Sequence, residues 1–218
     1  MKIGILWDLD GTLLDTLGDL TDATNYALSQ FGLPTRSEAE IRSFVGNGAK
    51  RQITLAMGTE PDDPRVDAVL AVYKPYYSAH CQIKTGPYPG IMEALSQLRD
   101  FPMALVSNKP HAAVQKLAQQ HFPGLYARGE QPDVPRKPAP DMILQTMADL
   151  GIEKCIYVGD SEVDILTAKN AGVPCLSVLW GFRDQDQLTD GQYFCDDPEK
   201  LPETIRKIAA TLDETQKM

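Results

Sequence analysis

The sequence predicts an α/β fold, a parallel sheet with helices on both faces, interrupted near its start by an inserted helical domain. Three observations carry the prediction. From about residue 85 onward short apolar runs alternate with helical stretches, the mark of a parallel sheet covered on both sides. Residues 16–82 show helical periodicity and no strand signal. The first apolar run, Ile3–Trp7, has no helical partner of ordinary length, which makes the helices after it an insertion.

Taken in order, Ile3–Trp7 is the first strand. A helix over roughly 16–31 ends at Gly32 and Pro34, and short helices follow near 37–44 and 48–57. A longer helix over about 64–82 opens at Asp63-Pro64, where proline suits the first turn. Strand Met103–Val106 then precedes a helix over 110–121, and a weak strand near 125–128 precedes one over 140–150. Cys155–Val158 is followed by a helix over 162–171, Cys175–Leu179 by a terminal helix near 198–212. The expected architecture is a Rossmann-like catalytic core of residues 1–15 and 83–218 carrying a helical cap of residues 16–82. Hinges are expected near 14–17 and 82–87, the second with Gly86 and Pro87.

Composition narrows the function. With 218 residues, 43% hydrophobic and 23% charged, and glycine and proline without period, a disordered or collagenous chain is disfavoured. Thirty acidic residues against 21 basic ones leave a net charge of −9, which argues against nucleic acid or an anionic membrane as partner. An anionic ligand must then be held by local cations. No stretch approaches the roughly 18 apolar residues of a membrane span. Asp8 and Asp10 cut the opening run too short for a signal peptide, so a cytoplasmic location is expected. Cys81, Cys155, Cys175 and Cys195 are widely separated and show no zinc spacing, nor do His80, His111 and His121, so buried free thiols are expected. Any metal site should be made of oxygen.

In an open parallel sheet the ligand crevice lies beyond the carboxyl ends of the strands, so the residues just after each apolar run matter most. There the chain places Asp8-Leu9-Asp10-Gly11-Thr12, Ser107-Asn108-Lys109 and Gly159-Asp160-Ser161-Glu162-Val163-Asp164. Arg136-Lys137-Pro138 sits in a loop before a helix. Asp8, Asp10 and Asp160 crowded together would repel unless a cation sat among them. Few oxygen ligands, with room for water and a phosphate, suit Mg2+ better than calcium or zinc. Asp8 can then attack phosphorus to give an aspartyl phosphate. Asp10 can protonate the departing alcohol and later deprotonate the water that hydrolyses the intermediate. Lys137 supplies positive charge, with Arg136 as its competitor, and Ser107 a hydrogen bond.

These residues also have blander explanations. An acidic turn at Asp8–Gly11 lacks the third ligand and preceding helix of a calcium loop. Ser161-x-x-Asp164 resembles a capping box, and Ser107 and Asn108 could cap the next helix. Gly46-Asn47-Gly48 could be a turn between two helices, His111 a capping residue, and Trp180 and Phe182 loop packing. The aromatic tract Tyr73–Tyr77 reads as helical-domain core or hinge packing rather than as a base-stacking platform.

The four strand-end motifs together, Asp8–Thr12, Ser107–Asn108, Lys137 and Gly159–Asp164, resemble those of the haloacid dehalogenase superfamily over nearly the whole chain. The resemblance implies Asp8 as nucleophile and magnesium ligand, Asp10 as acid/base binding magnesium through its backbone carbonyl, and Asp160 as a further ligand. It implies phosphate contacts from Gly11, Thr12, Ser107, Asn108 and Lys137, with Asp164 orienting the site. An aspartate at position 10 points to a phosphatase or phosphomutase, since dehalogenases and ATP-driven pumps lack it. Phe44–Arg51 and Leu179–Arg183 are similar to segments of phosphoglycolate phosphatases. That likeness makes phosphoglycolate the leading small phosphorylated substrate and Gly46, Asn47, Gly48 and Lys50 (or Arg51) its expected contacts on the helical domain. Pyrophosphate, a nucleoside monophosphate, a sugar phosphate or a mutase reaction would use the same core, and a non-catalytic binding protein is the alternative from another class. Monomer and dimer are both open.

Overall fold

The computed structural model describes residues 2–214. It divides into two compact units, one formed by the chain up to Leu14 and from Pro87 onward, the other by Asp15–Gly86. In chain order the elements are β1 (Ile3–Trp7), β2 (Leu14–Asp15), α1 (Leu17–Gln30), α2 (Glu38–Phe44), α3 (Gly48–Met57), α4 (Arg65–His80) and β3 (Gly86–Pro87). Then come α5 (Ile91–Gln97), β4 (Met103–Pro110), α6 (His111–His121), β5 (Tyr126–Glu130), α7 (Asp141–Leu150), β6 (Lys154–Gly159), α8 (Glu162–Ala171), β7 (Cys175–Val178), β8 (Tyr193–Cys195) and α9 (Leu201–Glu214).

The larger unit is built on a six-stranded sheet in the order β5-β4-β1-β6-β7-β8, its pairings parallel. Every residue of β1 is buried, as a central parallel strand with both faces covered requires. Ile5 sits opposite Met103 on one side and Ile156 on the other. Leu6, Val106, Ile143, Cys155, Tyr157 and Ile165 belong to one buried cluster. From β1 the chain runs outward through β4 and β5, then crosses to β6, β7 and β8. That reversal opens a crevice beyond the carboxyl ends of β1, β4 and β6, where the acidic motifs lie.

Several elements differ from the sequence expectation. β4 continues past Val106 to Pro110 because of a bulge: Val106 pairs with Arg128 and Pro110 with Glu130, so four steps along β4 match two along β5. An apolar criterion stops at Val106, since the bulged residues are polar. Helix α5 and strand β8 have no counterpart in the pattern; one is seven residues long and the other three. The terminal helix begins at Leu201, after a single 3-10 turn at Pro198–Lys200.

The smaller unit holds the four helices read from periodicity, α1 to α4. Leu20, Ala23, Ala27 and Leu28 of α1 and Val66, Val69, Tyr73 and Tyr77 of α4 are buried, and the Tyr73 and Tyr77 rings stack at 5.5 Å, so that aromatic tract is core. Ser37 and Glu40 close a capping box on α2. The Asp19 carboxylate on α1 accepts hydrogen bonds from the backbone N–H groups of Ile83, Lys84 and Thr85 and from the Thr85 hydroxyl. Among the described residues no helix is long and apolar enough to cross a membrane. The four cysteines are buried and free.

Candidate active site

Asp8 follows β1 directly, and its N–H donates to the Val158 carbonyl at 2.8 Å, which extends the ladder one residue beyond the strand. The chain then turns sharply, with the Leu9 carbonyl accepting from the N–H groups of Leu13 and Leu14. Gly11 adopts φ +77°, and a Cβ there would lie 2.2 Å from Asp160 Oδ2. Glycine is thus required both by the backbone and by the approach of the Gly159–Asp164 motif. The Thr12 side chain is fully buried, its hydroxyl 3.4 Å from Asp160 Oδ1.

Three carboxylates meet in this crevice: oxygens of Asp8, Asp160 and Asp164 all lie within 4.8 Å of one another, and all three residues are buried. Lys137, 1% exposed, places its ammonium 2.9 Å from Asp8 Oδ1, 2.7 Å from Asp164 Oδ1 and 2.9 Å from the Tyr157 hydroxyl. The Tyr157 hydroxyl is also 2.9 Å from the Val106 carbonyl, just before the β4 bulge. Asn108 clamps the Lys137 peptide, its Oδ1 accepting from the Lys137 N–H at 2.8 Å and its Nδ2 donating to the Lys137 carbonyl at 3.0 Å. Expected from the sequence as a phosphate contact, Asn108 holds the lysine loop with its side-chain amide.

Asp164 completes the α8 capping box, its Oδ2 accepting from the Ser161 N–H and hydroxyl at 3.1 and 2.6 Å. Its Oδ1 takes Lys137 and Tyr157, so both oxygens are engaged. Capping and site orientation, set against each other in the sequence, are performed by the same carboxylate. Asp160 receives the Phe182 N–H at 2.7 Å on Oδ2. A Cβ on Gly181 would meet the Asp160 side chain at 2.3 Å, and the Trp180 indole donates to the Thr12 carbonyl at 3.0 Å. The tract after β7 therefore wraps the Gly159–Asp164 and Asp8–Thr12 motifs, a role beyond loop packing.

The Asp10 side chain points elsewhere. Its Oδ1 lies 2.7 Å from the ammonium of Lys109, itself buried at the end of the β4 bulge. Asp10 is not in the three-carboxylate group, which includes Asp164 in its place. Lys109 and Tyr157 are the residues that sequence reasoning left without a role: one stood beside the recognised Ser107-Asn108 pair, the other looked like an ordinary strand residue.

Electrostatics explain what such a cluster needs. Burial pushes the Asp8 carboxyl up to about 7, Lys137 pulling it back and the Asp164 and Asp10 charges adding to the rise. Burial, then Asp164 and Asp8, raise Asp160 well above the usual carboxylate range. For Lys137 burial disfavours the charge, but Asp164 and Asp8 outweigh it and hold the ammonium protonated above the ordinary lysine range. Asp8 Oδ1 is buried and receives no well-directed hydrogen bond, the Lys137 ammonium being an ion-pair neighbour only. With all four aspartates ionised, the two lysines would leave two negative charges over. A buried carboxylate oxygen whose neighbouring ammonium is shared with Asp164, an all-oxygen donor set and that charge excess fit a hard divalent cation.

On the smaller unit Gly46, in the turn before α3, and Gly48, its first residue, have φ of +117° and +77°, which accounts for both glycines without any ligand. Lys50 is exposed and ion-paired with Asp67 at 2.7 Å. The His111 ring accepts from the Gly129 N–H at 3.2 Å, in keeping with a structural role. Arg136 is exposed, so the buried Lys137 is the lysine-loop cation at the carboxylates.

The sequence profile described as haloacid dehalogenase-like hydrolase matches residues 5–178. The chain belongs to that family. Among curated relatives, the phosphoglycolate phosphatase 1 of Pseudomonas aeruginosa is 36% identical over 190 residues, 82% of this chain and 70% of that one. The phosphoglycolate phosphatase of Rhodobacter capsulatus is 34% identical over 192 residues, 84% of this chain and 87% of that one. A crystal structure from Lactobacillus delbrueckii subsp. bulgaricus, described as a candidate phosphoglycolate phosphatase, is 40% identical, with a TM-score of 0.85 over 93% of this chain and 97% of that one.

Proposed function

We propose that this hydrolase is a magnesium-dependent phosphatase that cleaves a small phosphorylated metabolite through an aspartyl phosphate on Asp8, with phosphoglycolate as substrate. The observation that carries the proposal is the Asp8 carboxylate, buried at the end of β1 beside Lys137 and Asp160, with an oxygen that no well-directed hydrogen bond occupies. The names of the Pseudomonas and Rhodobacter relatives support the substrate.

In the first half-reaction an Asp8 oxygen forms a bond to phosphorus as the bond from phosphorus to the substrate oxygen breaks, and the Asp10 carboxyl gives its proton to the departing alkoxide. In the second, Asp10 takes a proton from water as that water attacks phosphorus, and Asp8 leaves as carboxylate. Lys137, fixed by Asp164, Tyr157 and the Asn108 clamp, keeps positive charge next to Asp8 throughout. Asp8 and Asp160 are the carboxylates that would hold magnesium, with the Asp10 carbonyl as the third protein ligand. Bound there, the ion would cancel the repulsion between carboxylate and phosphate and polarise a phosphoryl oxygen. Thr12 and Ser107 are buried hydroxyls available at the same strand ends.

A panel of phosphorylated metabolites ranked by kcat/KM tests this, with magnesium and with chelator, for the wild type and for Asp8→Asn. Phosphoglycolate is expected at the top, and hydrolysis is expected to vanish with chelator or with the substitution. Phosphoglycolate among the poorest substrates would overturn the substrate assignment. Unchanged rates without metal or in Asp8→Asn would overturn the mechanism.

A further inference from the structure

The ion pair between Lys109 and Asp10 has no part in the steps above, yet it is built with care. The Lys109 side chain is 2% exposed and that of Asp10 14%, at 2.7 Å. Desolvating an ammonium to this extent is costly unless a specific partner holds it. The position is prepared by the backbone. The β4 bulge, between Val106 and Pro110, carries Lys109 out of the regular pairing with β5. Gly129 on β5 makes room for it, since a Cβ there would lie 2.6 Å from the Lys109 carbonyl and 2.7 Å from the His111 Cα. The Lys109 N–H is 3.3 Å from the Ser107 hydroxyl oxygen, which ties the bulge to the preceding motif.

An ion pair serving stability alone could end on any acidic side chain of the core. This one ends on the group that must meet the leaving oxygen. Aspartate has a short side chain free to choose among rotamers, and a reacting group displaced by about 1 Å can lose on the order of 100-fold in rate. The geometry points to Lys109 as a positioning residue that fixes the Asp10 carboxyl group for proton delivery to the departing alcohol. The inference rests on the phosphatase function proposed above and adds a residue to it. Its consequence is selective: esters whose alcohol leaves poorly depend on Lys109, and esters with a good leaving group depend on it far less.

Single-turnover rapid quench with magnesium, following release of glycolate from phosphoglycolate and of nitrophenolate from p-nitrophenyl phosphate, reads this first step alone. Lys109→Met is expected to slow glycolate release about 100-fold and nitrophenolate release much less, so that the ratio of the two rates changes by at least about 30-fold. Lys109→Arg, which keeps a cation, is expected to recover most of the ratio. Gly129→Ala, which crowds the Lys109 carbonyl from outside the site, is expected to shift the ratio in the same direction and decides the matter if Lys109→Met does not fold. Equal slowing of both esters, or no slowing, would overturn the inference alone. A wild-type protein that releases neither product would overturn the phosphatase function and the inference with it.

Discussion

Asp8 shows how one buried side chain sets the chemistry around it. Its carboxyl is pushed up to about 7 chiefly by burial, so the folded protein without metal binds a proton there that the unfolded chain would release near pH 4. Between those values the folded state holds more protons, and Asp8 therefore takes stability away as pH rises through that window. A divalent cation must displace the same proton, so its binding strengthens as pH rises through about 7. The expected result is a larger magnesium-induced rise in Tm at pH 8 than at pH 6, and a smaller difference in Asp8→Asn, where only Asp160 has a proton left to give up. Equal rises at both pH values in the wild type would contradict the assignment of Asp8 as a ligand. At this scale the sequence was informative where a residue type is tied to a strand end, as for Asp8, Asp160 and Lys137. It was silent on Tyr157, because a strand residue that donates to a carbonyl and lies against an ammonium is written like any other aromatic in a sheet.

Elements were legible where period and punctuation agree. The helices of the smaller unit are within a few residues of their expected bounds because glycine, proline and capping residues mark their ends. The β4 bulge was not legible: its polar residues end the apolar run, and only the register against β5 shows that the strand resumes. Strand β8 is too short for any alternation to register. Asp19 on α1 gives an element-scale prediction. Its carboxylate gathers three N–H groups and a hydroxyl from residues 83–85, which tethers the segment after α4 to the start of α1. Asp19→Ala leaves those donors to find water or remain unpaired, at a cost of about 2 kcal/mol. A urea melt followed by helical circular dichroism is expected to show an earlier midpoint for loss of helix. An unchanged midpoint would mean that the tether contributes nothing net.

At the scale of the whole molecule, an acidic protein gathers a second, local excess of negative charge at one end of its sheet. The net charge of −9 disfavours bulk attraction for a phosphate ester, so local cations, the two buried lysines among them, must supply it. The alternation of strands and helices made the parallel sheet readable, and the rule that ligands bind beyond the carboxyl ends of its strands made the crevice readable. Substrate choice was less readable, because Gly46 and Gly48 are accounted for by their backbone angles and Lys50 by its ion pair with Asp67. The central claim is that phosphorus is transferred to one carboxylate. Acid quench of the magnesium-loaded enzyme during turnover of phosphoglycolate, followed by reductive trapping of the acyl phosphate and peptide mapping by mass spectrometry, tests it directly. The account predicts the label on Asp8 in the peptide that follows β1, and none in Asp8→Asn. Label on any other side chain, or turnover with no trapped intermediate in Asp8→Asn, would contradict it.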